Sequence, residues 1–112
     1  MKLVILESPY AGDIERNVSY ARACVRDCVL RGEAPIASHL LFTQPGILLD
    51  EDPAERALGI EAGLAWGKRA DLTVVYVDHG ISRGMHQGIA RAEAEGRAVE
   101  VRSLFGYCGT PA

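Results

Sequence analysis

Four short apolar runs alternate with three longer segments of helical pattern, and this alternation restricts the fold more than any other feature of the chain. Lys2–Leu6 reads as a continuous buried strand. Ala34–Ala37 reads as a short second strand, and Leu72-Thr73-Val74-Val75-Tyr76-Val77, rich in β-branched and aromatic residues, as a third. Ala98–Leu104 alternates Val99 and Val101 with Glu100 and Arg102, the pattern of an edge strand. Between them, Ile14, Val18, Ala21, Val25 and Cys28 form a helical stripe over about Ile14–Arg31, with Asp13 as its cap and Gly32 just past its end. Asp52-Pro53-Ala54-Glu55 has the form of a helix start, and that helix runs to about Arg69. A third helix covers Arg83 to about Glu95, with Ser82 as its cap. The segment from His39 to Leu49, broken by Pro45-Gly46, has no clear period.

Strands and helices taken in turn imply an α/β domain of the flavodoxin or Rossmann-like kind. It has three layers, right-handed crossovers and a parallel sheet of four to five strands in the order 2-1-3-4. Ligands in such sheets bind beyond the carboxyl ends of the strands, where the strand order reverses. The loops Glu7–Gly12 and Asp78–Gly84 are thereby expected to meet, with Ser38 and His39 beside them. A strand that runs through a glycine-containing turn into a helix start, as Leu72–Met85 does, is a place to hold a phosphate or a sugar. Neither G-x-G-x-x-G nor a Walker lysine loop is present.

The 112 residues make one domain, 1–112, with a tail from about Phe105 expected to pack loosely. A net charge of -3 argues against bulk nucleic-acid binding, which needs a basic footprint. No apolar run approaches the ~20 residues of a membrane span, and Leu3–Leu6 is too short for a secretory core, so a cytoplasmic protein is expected. The three cysteines read as free thiols. Cys24 and Cys28 share one helix face and read as core residues, and Cys108 reads as exposed. The three histidines lack ligand spacing, and no metal and no cofactor are expected.

Within the two converging loops, Gly12, Gly80 and Gly84 would let the backbone approach a ligand. Ser82, Arg83, Gly84 and Met85, at a helix N-terminus, would face an anion, Arg83 also being a natural surface residue. Ser8 lies in the first loop. Tyr10 would stack on a base, steer a nucleophile or cover its loop. Glu7 and Asp78 are the candidate catalytic carboxylates and would accept bonds from sugar hydroxyls. Asp78 is also well typed as a turn former. Glu7 ends a buried strand, where a carboxylate is costly without a partner. General acid–base work falls to His39 or His79 at strand ends.

Ser8-Pro9-Tyr10 after the first strand, Asn17 in the first helix, Gly32 with Pro35 and His39, and Asp71 opening a strand that leads to Ser82-Arg83-Gly84-Met85 together resemble the nucleoside 2-deoxyribosyltransferase-like superfamily. The likeness is to small members from bacteriophages and bacteria and runs from about Leu3 to Val101. It implies a flavodoxin-like domain, a homodimer or larger homo-oligomer, that binds a nucleoside or nucleotide and acts at the N-glycosidic bond. It also implies a nucleophilic glutamate in the helix after the second loop, forming a covalent glycosyl intermediate. Counting from Gly84 puts Gly88 at that position, and a register shifted by two puts His86 there; neither is a glutamate. Three readings stay open: an N-glycosidase or deoxyribosyltransferase using another carboxylate, a non-catalytic nucleotide-sequestering or sensing protein, or a scaffold for a protein partner.

Overall fold

The computed structural model describes residues 1–105. Strands β1 (Lys2–Glu7), β2 (Glu33–Ile36), β3 (Leu72–Tyr76) and β4 (Ala98–Arg102) form one sheet in the order β2-β1-β3-β4. Every pairing is parallel. The helices are α1 (Ile14–Leu30), α2 (Ser38–Leu41), α3 (Pro53–Trp66) and α4 (Arg83–Ala94), with a 3-10 turn over Gly67–Arg69. The expected α/β architecture and strand order are therefore those of the molecule. The unassigned stretch after β2 holds the short α2 and a loop that leads into α3. Among the described residues no helix is long and apolar enough to cross a membrane. Cys108 lies outside the described residues.

Local chemistry sets the helix starts. The Asp13 carboxylate accepts from the Arg16 amide at 3.2 Å. Asp52 accepts from Ala54 at 3.0 Å, and Pro53 occupies the first turn, where its missing N–H costs nothing. The Ser82 hydroxyl accepts from Met85 at 3.3 Å. Each cap satisfies a donor that the helix itself leaves unpaired.

The two sheet faces have different jobs. Val4, Leu6, Leu72, Val74 and Tyr76 pack against Tyr20, Cys24 and Cys28 of α1 and make the main core. Residues between them along the strands, Ile5, Glu7, Thr73 and Val75, point to the opposite face by the two-residue period. The third strand is buried throughout, as its composition requires.

The edge strand β4 buries its arginine and not the valine beside it. Val101 is 63% exposed, whereas Arg102 is 7% exposed. The cause is a buried partner: Arg102 Nη1 and Nη2 donate to the two carboxylate oxygens of Glu33 at 2.8 and 2.7 Å. Tyr76 joins the cluster, donating to Asp27 at 2.6 Å while its hydroxyl accepts from Arg102 at 3.3 Å. A paired guanidinium outranks a valine for the inside position because its hydrogen bonds are complete.

Removing one partner of this pair strands the other. Arg102→Ala is expected to cost about 3–5 kcal/mol in urea unfolding, and the double change Glu33→Gln with Arg102→Met is expected to cost less. Equal losses in both variants would show that the charge pairing is not what holds β4 in phase.

Candidate functional site

A cleft of about 220 Å³ opens at the carboxyl end of β1. One wall is the loop after β1, with Ser8, Tyr10 and Ala11. The Asn17 side chain fixes that loop, donating to the Tyr10 and Ala11 carbonyls at 2.9 and 3.0 Å. A second wall is the first turn of α4, Ser82 to Met85. The third is apolar and comes from α2, α3 and the segment between them, including Phe42, Leu48, Ile60 and Leu64. The strand order makes this arrangement possible: β1 lies between β2, which leads to α2, and β3, which leads to α4.

Glu7 lines the cleft at the last position of β1. Its carboxyl group makes no hydrogen bond or ion pair among the described residues. Burial pushes its pKa from 4.5 to about 8, against a smaller downward pull from Arg97. Arg97 is otherwise engaged, donating to Thr73 Oγ1 at 2.9 Å, to the Gly67 carbonyl at 2.5 Å and to Glu95 at 2.7 Å. Above Glu7 sits Gly88 of α4. A Cβ at position 88 would collide with the Glu7 carboxyl group, even Oε1 lying 2.9 Å away. Glycine at 88 is therefore what gives the Glu7 side chain its room.

Ser8, the next residue, is 5% exposed and engages the other flank. Its Oγ lies 2.6 Å from His39 Nε2. His39 belongs to α2, and burial lowers its pKa to about 4, so the imidazole is neutral near pH 7. A neutral imidazole bonded to a hydroxyl is a proton acceptor with its partner already in place.

Most residues singled out from the sequence meet here. Glu7, Ser8, Tyr10, His39, Ser82, Arg83, Gly84 and Met85 all line the cleft. Three do not. Asp78 turns away from it and ties down the chain after β4. Its carboxylate accepts from Tyr20 at 2.6 Å, from the Leu104 amide at 2.9 Å, and from the Ser103 hydroxyl. Burial pushes Asp78 up, but these donors win and hold it near 2. Gly12 and Gly80 serve turn geometry, at φ of +101° and +84°. His79 likewise packs edge-on against Tyr20, with ring centroids 4.3 Å apart, and its Nδ1 accepts from Arg16 at 2.6 Å. The sequence reading missed the apolar third wall and Arg97, whose roles depend on contacts distant in the chain.

The model of a family described as a domain of unknown function (DUF7768) matches residues 2–102. No curated protein matches the chain. Among solved structures, the fold is similar to that of a 2-deoxyribosyltransferase from the psychrotolerant bacterium Bacillus psychrosaccharolyticus. That match has a TM-score of 0.65 and 20% identity over 96% of this chain and 77% of the other. It is also similar to the CMP N-glycosidase BcmB of Clostridium botulinum, with a TM-score of 0.53 and 16% identity over 96% and 75% of the two chains.

Two outcomes follow for Glu7. The folded state holds the Glu7 proton more tightly than the unfolded chain does, so between pH 4.5 and about 8 unfolding releases a proton and stability falls as pH rises. Across that window the wild type should lose up to about 1.4 kcal/mol per pH unit relative to Glu7→Gln in urea titrations, and parallel curves would contradict this. Gly88→Ala should destabilise by about 1–3 kcal/mol through overpacking. In a Glu7→Ala background the same change should be neutral or stabilising, because alanine is the better helix former.

Proposed function

The chain belongs to the DUF7768 family, and we propose from its cleft and its fold that it binds a nucleoside or nucleotide there and cleaves the N-glycosidic bond. The observation that carries this reading is Glu7: an unpartnered carboxyl group on the inner face of a buried strand, opening into a ligand-sized cleft. A half-buried carboxyl that faces a cleft without a protein partner among the described residues is costly to ionise, and sites of chemistry are where such groups concentrate. The fold is shared with structures of a deoxyribosyltransferase and a CMP N-glycosidase. In this reading the apolar wall from α2 and α3 takes the flat base, with Tyr10 covering it. The first-turn amides of α4 and Arg83 face a phosphate or sugar oxygen.

Gly88 favours a second reading. In the resemblance drawn from the sequence it stands where the nucleophilic glutamate belongs, and a cleft lacking that group would hold a nucleotide without turning it over. The two readings separate in one pair of assays on the same protein. Thermal shifts are measured with nucleosides, nucleoside monophosphates and NAD, and free base is followed by chromatography. A ligand present at 100 times its Kd raises stability by about 2.7 kcal/mol. Catalysis predicts a shift together with base release. Sequestration predicts a shift alone. No shift with any of these compounds overturns both.

A further inference from the structure

Among the titratable groups that line the cleft, Glu7 and His39 sit on different flanks of β1. Glu7 lies against Gly88 of α4. Ser8 is bonded to His39 of α2 at 2.6 Å. We infer that Glu7 serves as the proton donor to the departing base, not as a nucleophile, while the Ser8–His39 pair activates the water that replaces it. The reaction is then a hydrolysis with inversion at C1′. This rests on the nucleoside-cleaving reading above and settles its reaction type.

A glycosyl-enzyme needs an ionised carboxylate aimed at the anomeric carbon. Among the described residues Glu7 has no cation in contact and no hydrogen-bond donor to hold it ionised. Arg97 is the basic group that acts on it, and its guanidinium is spent on Thr73, Gly67 and Glu95. The other charged groups around the cleft are also committed or distant in role. Arg56 lies 3.9 Å from Asp50, and Glu55 accepts from the Leu49 amide at 2.8 Å. Arg83 is exposed at the start of α4. Burial thus leaves Glu7 protonated near neutral pH, the state of a general acid. His39 is the converse: burial keeps it neutral and makes it a weak base, enough to take the proton of a water already bonding to the cationic C1′.

The step balances. Glu7 gives its carboxyl proton to a ring nitrogen of the base as the C1′–N bond breaks, and the bonding electron pair leaves with the base. A water oxygen bonds to C1′ from the side of Ser8 and His39. Its proton passes to His39 Nε2, directly or through the Ser8 hydroxyl. The imidazolium then loses that proton to solvent, and the Glu7 carboxylate regains one. The sum is nucleoside plus water going to free sugar plus free base.

Three measurements on the whole protein test this, with CMP and 2′-deoxyadenosine as probes. Infrared difference spectra of wild type against Glu7→Gln should show a protonated-carboxyl band at neutral pH that disappears above about pH 8. Proton NMR at early times should show the inverted anomer, and labelled free base should not enter the remaining nucleoside. Glu7→Gln should lower kcat by about 10²–10⁴-fold with little change in KM, and the activity of the wild type should fall as pH rises through about 8. His39→Ala should remove the acid limb of the pH profile. Retention, base exchange, or activity that rises with pH through about 8 would overturn the proton-donor role while leaving the glycosidase reading intact. Absence of base release from every nucleoside would overturn the glycosidase reading, and the hydrolytic step with it, even with Glu7 protonated.

Discussion

The site depends on the placement of β1 beside β3 at the centre of a parallel sheet. Their register sets Glu7 opposite Val75, so the two carboxyl ends stop nearly level. The chain leaving β2 then supplies α2 on one side of β1, and the chain leaving β3 supplies α4 on the other. Any slip of one residue in β1 would turn Glu7 to the α1 face, among Leu6, Val74 and Tyr76, and would carry Ile5 with it. The apolar residues of β1 on both faces therefore hold a polar residue in place. Val4 and Leu6, each 1% exposed, anchor the register that aims Glu7 at the cleft.

Glu7 is where this frame becomes chemistry. On an exposed strand end its carboxyl group would ionise and carry little information. Beneath α4 it keeps its proton, and it fits there because position 88 has no side chain. The neighbouring Ser8–His39 bond gives the same cleft a neutral base. In the proposed hydrolysis, two residues adjacent in sequence serve opposite proton-transfer roles. Their environments, one beneath a helix and one against a histidine, push their behaviour apart.

How much of this was readable beforehand follows from how local each signal is. The third strand announced itself through five apolar or β-branched residues in six, and the helix starts through Asp13, Asp52 and Ser82, whose partners lie within three residues. Element alternation implied a parallel sheet, and the order 2-1-3-4 was that of the flavodoxin-like pattern, which the molecule has. The phase of β4 was not readable because the partner of Arg102, Glu33, lies 69 residues away. Asp78 looked like a site carboxylate until the chain beyond β4 folded back and filled its bonding capacity. The pairing of Glu7 with Gly88 needed both ends of the fold: the sequence showed a missing glutamate in α4 and a carboxylate ending β1, but not that one occupies the room of the other.

The most direct test of the account is a crystal structure of the protein saturated with CMP or a non-hydrolysable nucleoside analogue. The account predicts the base edge within hydrogen-bond distance of the Glu7 carboxyl group, stacked on the α2–α3 wall, with C1′ turned toward Ser8 and His39. A ligand bound away from Glu7, or an empty cleft at saturation, would contradict it.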